Sequence, residues 1–365
     1  MAGNSNLHDS ARNKQDEFYT QLSLIEKELK HYRSFFAGKT VLCNCDDPYE
    51  SNFFKYFAMN FNTLRLKKLV TTCYATSPVV GDEFEYYVDN AGQLAFVPDT
   101  DTTPLVCSTR RPYRVEITEV TDENNDGRAD LADVEYLMRN RKNTMTLLNG
   151  DGDFRSKEVT ELRNEADFII TNPPFSLFRE FLAWIVEAGK KFAVIGNMNA
   201  ITYKEVFPLI KDNKVWLGAT GNGNDMVFGV PDGAKVDEKD KAKAARLGYV
   251  GNYTRLGNSC WFTSIEHGRR HEPLPLMSMA DNLRFSKHKE LRGKAAYDRY
   301  DNYDAIEVPF TDAIPSDYEG VMGVPISFLI KYCPEQFEIL GITDRQNTSC
   351  LRTKKYTDMD SPKYN

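Results

Sequence analysis

No apolar run in this 365-residue chain approaches the roughly 20 residues that a membrane span needs, and Met1 to Gln15 is polar, without the apolar core of a secretory signal. A cytoplasmic protein with no membrane partner is the expectation. Cysteine is scarce, at seven residues. An odd count with no Cys-x-x-Cys spacing excludes a disulfide framework and a zinc ribbon. Cys43 and Cys45, one residue apart in a strand, read as small buried side chains on one face. No repeat of fixed period is present, which excludes solenoids and propellers. Positive charge is also lacking. With a net charge of -7, any surface for nucleic acid has to be a local patch, because affinity for phosphates comes largely from Lys and Arg.

What the chain does contain is ordinary for a globular protein, with 41% hydrophobic and 27% charged residues. Its length suits two domains or one large α/β domain carrying insertions. From Leu22 to Phe36 apolar residues recur at the helical period, Gly38 ends the helix, and Thr40 to Cys45 reads as a short buried strand. A helix from Ser51 to Asn62 and a strand from Lys68 to Tyr74 follow, which is the start of a parallel α/β sheet. Residues 75–144 interrupt it. Within them Glu83–Val88 and Gln93–Val97 flank a turn as a β-hairpin, and Tyr113–Val120 reads as another strand. The sheet resumes with strands at Met145–Leu148, Ala166–Thr171 and Lys191–Gly196, with a helix from Phe178 to Ala188 between the last two. Beyond Asn197 the regularity fades; Val215–Leu217 and Ser259–Phe262 look like strands, and Asp232–Ala245 like a mobile loop or exposed helix.

Asn172-Pro173-Pro174-Phe175 follows a buried strand and precedes a helix, so it lies at a carboxyl edge of the sheet, where open α/β sheets bind ligands. The two prolines remove two N–H donors and leave carbonyl acceptors, to which the Asn172 side chain adds a third. Such an array suits a planar –NH2 group with two protons to give and a nitrogen lone pair tied up in a ring. Phe175 is placed to stack on a heterocycle swung out of a duplex.

A methyl-donor site is expected at the end of the first strand, where Asn44, Asp46 and Asp47 stand in a turn that lacks the usual glycine. At Gly150-Asp151-Gly152-Asp153-Phe154 either carboxylate can accept from the donor's adenine amine, with Phe154 against its ring. A plain Gly/Asp turn is the alternative.

These pieces, together with Asp16-Glu17-Phe18-Tyr19-Thr20-Gln21, stand in the order seen in the EcoRI-type adenine-specific DNA methyltransferases, which the chain resembles over roughly residues 16–218. The resemblance implies a Rossmann-like, S-adenosylmethionine-dependent catalytic domain over 16–218 with a β-rich insertion at 75–144. A polar, disordered 1–15 would precede it and a target-recognition and C-terminal region over 219–365 would follow. It also implies that Phe18, Tyr19 and Thr20 close over the donor. Where such enzymes usually carry an acid for the donor's ribose, this chain has Thr72, Cys73 and Tyr74.

Two further signals stand apart. Asp122, Asn124, Asp126, Asp130 and Asp133 match the spacing of a calcium loop, or else form an Asx-rich turn. Between Glu266 and Arg299 basic residues outnumber acidic ones by eight to five, and Arg269 and Arg270 there, with Trp216 and Trp261, are the candidates for DNA contact. The expected function is transfer of a methyl group to the exocyclic amine of adenine in double-stranded DNA, by a monomer, beside a cognate restriction endonuclease. The competing readings are methylation of a protein glutamine or of RNA adenine, and a non-catalytic DNA-binding or calcium-binding module.

Overall fold

The computed structural model describes residues 18–45, 51–73, 112–121, 144–220, 226–230, 236–301 and 303–343, with Asp133 and the short backbone runs 87–88, 94–95 and 103–104. The chain divides into two compact units. One comprises Met1–Ala200 with Val215–His267, the other Ile201–Lys214 with Gly268–Asn365.

The first unit is mixed α/β around an eight-stranded sheet. In chain order its elements are β1 (Tyr19–Thr20), α1 (Leu22–Leu29), β2 (Thr40–Asn44), α2 (Asn52–Met59), α3 (Phe61–Leu64), β3 (Lys68–Thr72), β4 (Tyr87–Val88), β5 (Leu94–Ala95), β6 (Thr103–Pro104), β7 (Tyr113–Ile117), β8 (Thr144–Leu147), α4 (Lys157–Glu165), β9 (Phe168–Thr171), α5 (Phe178–Glu187) and β10 (Lys191–Asn197). After α6 (Phe207–Lys211), which belongs to the second unit, come β11 (Trp216–Leu217), β12 (Val227–Gly229), α7 (Glu238–Arg246), β13 (Tyr253–Arg255) and β14 (Ser259–Thr263). The sheet order is β11-β14-β10-β9-β2-β3-β7-β8. β10, β9, β2 and β3 are parallel, and both flanking pairs are antiparallel.

The apolar runs of the parallel strands are buried along almost their whole length, as both-face coverage requires. Val41, Cys43, Leu69, Ile170, Ala193 and Ile195 share one core with Ile25 and Leu29 of α1 and Phe53 and Phe57 of α2. Each large side chain withdrawn from water in this way contributes about 1.5–3 kcal/mol. α4 and α5 pack against β2 and β10.

Several sequence expectations are corrected. The amphipathic helix stops at Leu29 and continues as a tight turn at Arg33–Phe35, yet Tyr32 and Phe36 are buried as their spacing implies. Tyr113–Ile117 is part of the main sheet, paired with β3; its alternation of buried Tyr113, Val115 and Ile117 with half-buried Arg114 and Glu116 suits a strand near the edge. Met145–Leu148, expected as a buried parallel strand, is the antiparallel edge strand β8. The hairpin at β4 and β5 forms. α4 has no counterpart in the sequence reading. Its signal was Ser156, whose hydroxyl caps Val159 N at 3.3 Å, followed by Val159 and Leu162 on the buried face.

The second unit has its own core of Leu291, Tyr297, Ile306, Val308, Ile314 and Phe328. Around it stand α8 (Met279–Phe285) and a parallel pair, β15 (Ala305–Glu307) and β16 (Val321–Gly323). Among the described residues no helix is long and apolar enough to cross a membrane.

Candidate active site

The carboxyl ends of β2 and β9 lie side by side, and the Thr171 hydroxyl donates to the Asn44 carbonyl. β9 leads directly into Asn172, which is 6% exposed. Its Nδ2 donates to the Phe18 carbonyl at 2.7 Å. A carbonyl can only accept, so this bond settles which end of the amide points where. Oδ1 is left buried and without a partner among the described residues. An orphaned acceptor of this kind costs about 1–3 kcal/mol unless something donates to it.

Pro173 is buried, and Pro174 and Phe175 are half-buried. The two proline carbonyls are not equivalent, contrary to the sequence expectation. Pro174 O accepts from Leu177 N at 3.0 Å in the turn that opens α5, because the 3-10 turn at Phe175–Leu177 needs an acceptor there. Asn172 Oδ1 thus stands without a partner among the described residues, whereas the Pro174 carbonyl already accepts one hydrogen bond.

Phe175 stands in an aromatic group drawn from three parts of the chain. Its ring centroid is 5.8 Å from that of Phe18 and 6.4 Å from that of Phe228, with Phe18 and Phe228 6.1 Å apart. β1 makes this possible by pairing with β12, Thr20 opposite Phe228. The Asn52 side chain donates to Thr20 O at 2.7 Å and ties the same strand to the start of α2. Phe228 and Asn52 carried no signal in the sequence, since their role depends on pairing across long stretches of chain.

At the end of β2 the buried Asn44 has neither its Nδ2 nor its Oδ1 partnered among the described residues, and Thr20 Oγ1 is likewise unpartnered. Cys45 follows with φ 88°. The turn that lacks glycine nevertheless adopts the left-handed backbone that glycine favours, a conformation costing of order 1–3 kcal/mol in other residues. Asp46 and Asp47 lie outside the described residues.

The 150–154 turn lies against the end of β3. Gly152 has φ 79°, and a Cβ there would fall 2.2 Å from the Cys73 carbonyl, so only glycine permits this approach. Asp151 is exposed and accepts from Asp153 N at 3.0 Å. The Asp153 carboxylate takes three bonds from Arg155, which hold it below the usual carboxylate range. The Phe154 ring, expected against the donor, is buried edge-on to Phe181 and Trp184 at 5.1 and 5.5 Å, packing α5 onto the turn.

Glu28 is a buried carboxylate not singled out by the sequence. Glu28 Oε1 accepts from Ala219 N at 2.7 Å and Tyr32 OH at 2.5 Å, and Oε2 from Thr220 N at 2.9 Å. It anchors the segment leaving β11.

The candidates for DNA contact separate. Arg269 is exposed, whereas Arg270 is only 9% exposed and donates to Asn213 Oδ1. Trp261 is buried against Phe53, and the half-buried Trp216 donates its Nε1–H to Ile265 O at 3.1 Å. Of the calcium-loop residues only Asp133 is described, and it is buried; Asp122, Asn124, Asp126 and Asp130 lie outside the described residues. Among the described residues no group of three or more His, Cys, Asp or Glu is arranged to hold a metal ion.

The profile of the family described as adenine-specific methyltransferase EcoRI matches residues 6–365. The chain is 40% identical over 349 residues to the type II methyltransferase M.EcoRI of Escherichia coli, covering 93% of this chain and 89% of that protein. It is 32% identical over 353 residues to the type II methyltransferase M.MgeORF184P of Mycoplasma genitalium, covering 96% and 88% of the two chains. A third relative, the type II methyltransferase M.MpnI of Mycoplasma pneumoniae, is 31% identical over 353 residues, covering 96% and 87%. No solved structure matches at a significant level.

Proposed function

The chain belongs to the EcoRI family of adenine-specific methyltransferases, and from that premise we propose that Asn172 Oδ1 and the Pro173 carbonyl accept the two protons of the target adenine's exocyclic amine. The protein is a site-specific DNA adenine methyltransferase of the type II, restriction-modification kind. The observation that carries the catalytic reading is the orientation of Asn172: its Nδ2 is held by Phe18 O while Oδ1 is buried with no partner among the described residues. Drawing both amine protons toward these acceptors returns electron density to a nitrogen otherwise conjugated with the ring. The base reaches them by leaving the duplex, and Phe175 stacks on it.

Methyltransferase chemistry implies S-adenosylmethionine, which supplies an electrophilic methyl group when bound. The residues present fit it. Asn44 and Thr20 offer buried donors and acceptors without partners among the described residues, and Asp151 has an exposed carboxylate for an amine. Asp46 and Asp47 belong to the same reading through the sequence alone, as do Phe18 and Tyr19 closing over the donor. Asp153 contributes by fixing the turn through Arg155, and Phe154 by packing beneath it. The sheet is then Rossmann-like in its parallel centre, and the second unit carries target recognition, with Arg269 on the DNA.

Asn172→Ala tests the assignment. Loss of a hydrogen bond made in the transition state lowers methylation of duplex DNA by ~100-fold or more, while S-adenosylmethionine affinity by calorimetry stays within a few-fold. Turnover close to that of the unaltered protein would overturn the role of Asn172.

A further inference from the structure

In the second unit, α8 and the turn after it form a braced projection. Ser278 caps the helix by accepting from Asp281 N at 3.1 Å, Asn282 is fully buried, and Leu283 packs against the unit's core. The chain then folds back, with Gly293 N donating to Leu283 O at 2.8 Å and Leu291 buried in that core. Between these anchors Arg284, Phe285, Lys289 and Arg292 are all exposed, and the Phe285 ring is 60% exposed.

The charges in this stretch are of two kinds. Lys287, Lys294 and Arg299 are spent on Asp312, Asp298 and Asp304. Arg284, Lys289 and Arg292 have no acidic partner among the described residues; the Arg284 guanidinium lies 5.0 Å from the Phe285 centroid. Glu290 is the acid of the turn, exposed beside them. Of the basic excess read from sequence, Arg284, Lys289 and Arg292 are thus left exposed in the same stretch of chain as the Phe285 ring, with Arg284 against it.

Resting on the reading that the second unit carries target recognition, we propose that Phe285 with Arg284, Lys289 and Arg292 forms a docking surface for duplex DNA. The cations neutralise phosphates and the ring packs on a base or sugar. A polyanion fits this patch, whereas a second copy in a two-fold contact would set the three cations against themselves. The rigid brace fits recognition too, because little ordering is left to occur on binding.

The test is fluorescence anisotropy of the full-length protein with labelled random-sequence duplex DNA across a salt series. Phe285→Ala weakens binding roughly 5- to 150-fold, the equivalent of one stacked base, and Phe285→Trp restores it. Lys289→Ala and Arg292→Ala each lower the slope of log affinity against log salt by about one. S-adenosylmethionine affinity is unchanged throughout. Phe285→Ala binding like the unaltered protein overturns the docking surface, as does a change of oligomeric state in sedimentation, which would make a second copy the occupant. Arg269→Ala in the same series separates the two ideas. If it alone weakens binding, recognition by the second unit stands and this surface falls; if no variant has an effect, both fall.

Discussion

Asn172 Nδ2 lies 2.7 Å from the carbonyl oxygen of Phe18, a residue 154 positions earlier in the chain. The residue just before β1 thus fixes the orientation of the Asn172 side-chain amide. Asn and Asp, often exchangeable as acceptors, are not equivalent here, because a carboxylate has no proton to give to that carbonyl.

Asn172→Asp therefore sets a buried carboxylate oxygen against a carbonyl oxygen. Both desolvation and this contact favour the protonated acid, which can donate to Phe18 O and still accept with its other oxygen. The variant is expected to be poorly active at neutral pH and to recover partly as pH falls and the acid protonates. A pH–rate profile that parallels that of the unaltered protein, displaced only in height, would show that Phe18 O does not orient the side chain.

Phe175 should respond to aromaticity rather than bulk alone. Phe175→Ala loses about 1–3 kcal/mol of stacking on the flipped base, while Phe175→Tyr and Phe175→Trp retain part of it. The KM for DNA and the fluorescence of 2-aminopurine at the target position report this. Equal behaviour of the Ala and Trp variants would leave stacking without support.

At Cys45 the backbone is left-handed. Cys45→Gly is expected to keep or slightly raise stability, since relief of the strained φ offsets the added freedom of the unfolded chain. Cys45→Val should cost about 1–2 kcal/mol, because a β-branched residue is disfavoured there. Urea denaturation decides it, and a Val variant as stable as the original would contradict the strained turn.

His267 predicts a dependence on pH. Its Nε2 donates to Leu217 O at 2.9 Å, and burial pushes its pKa below the ordinary value. As pH falls, the unfolded chain takes up this proton before the folded one. The stability due to neutral His267 is thus fully present above about pH 6.5 and declines as pH drops through that value toward the lower folded one, by up to ~1.4 kcal/mol per pH unit. His267→Gln should flatten this slope in urea denaturation between about pH 5 and 7.

Much of the first unit is legible in the sequence. Apolar runs bounded by turn residues placed β2, β3, β9 and β10, and the position of Asn172-Pro173-Pro174-Phe175 after one of them placed the site at the sheet's carboxyl edge. Strand burial and chain order are local properties, written in periodicity. The helix α4 is equally local, its start marked by the capping Ser156.

Other features were decided only by the tertiary structure. Which end of the Asn172 amide is held depends on Phe18, the hydrogen bond on the Pro174 carbonyl depends on Leu177, and the wall beside Phe175 depends on Phe228 across a strand pair. Arg269 and Arg270 are neighbours in sequence, yet one is exposed and the other is buried on Asn213. The sequence by itself determined the elements and the chemistry available at their ends; folding decided which donors, acceptors and charges were consumed by the protein itself, because each such group finds its partner through space rather than along the chain.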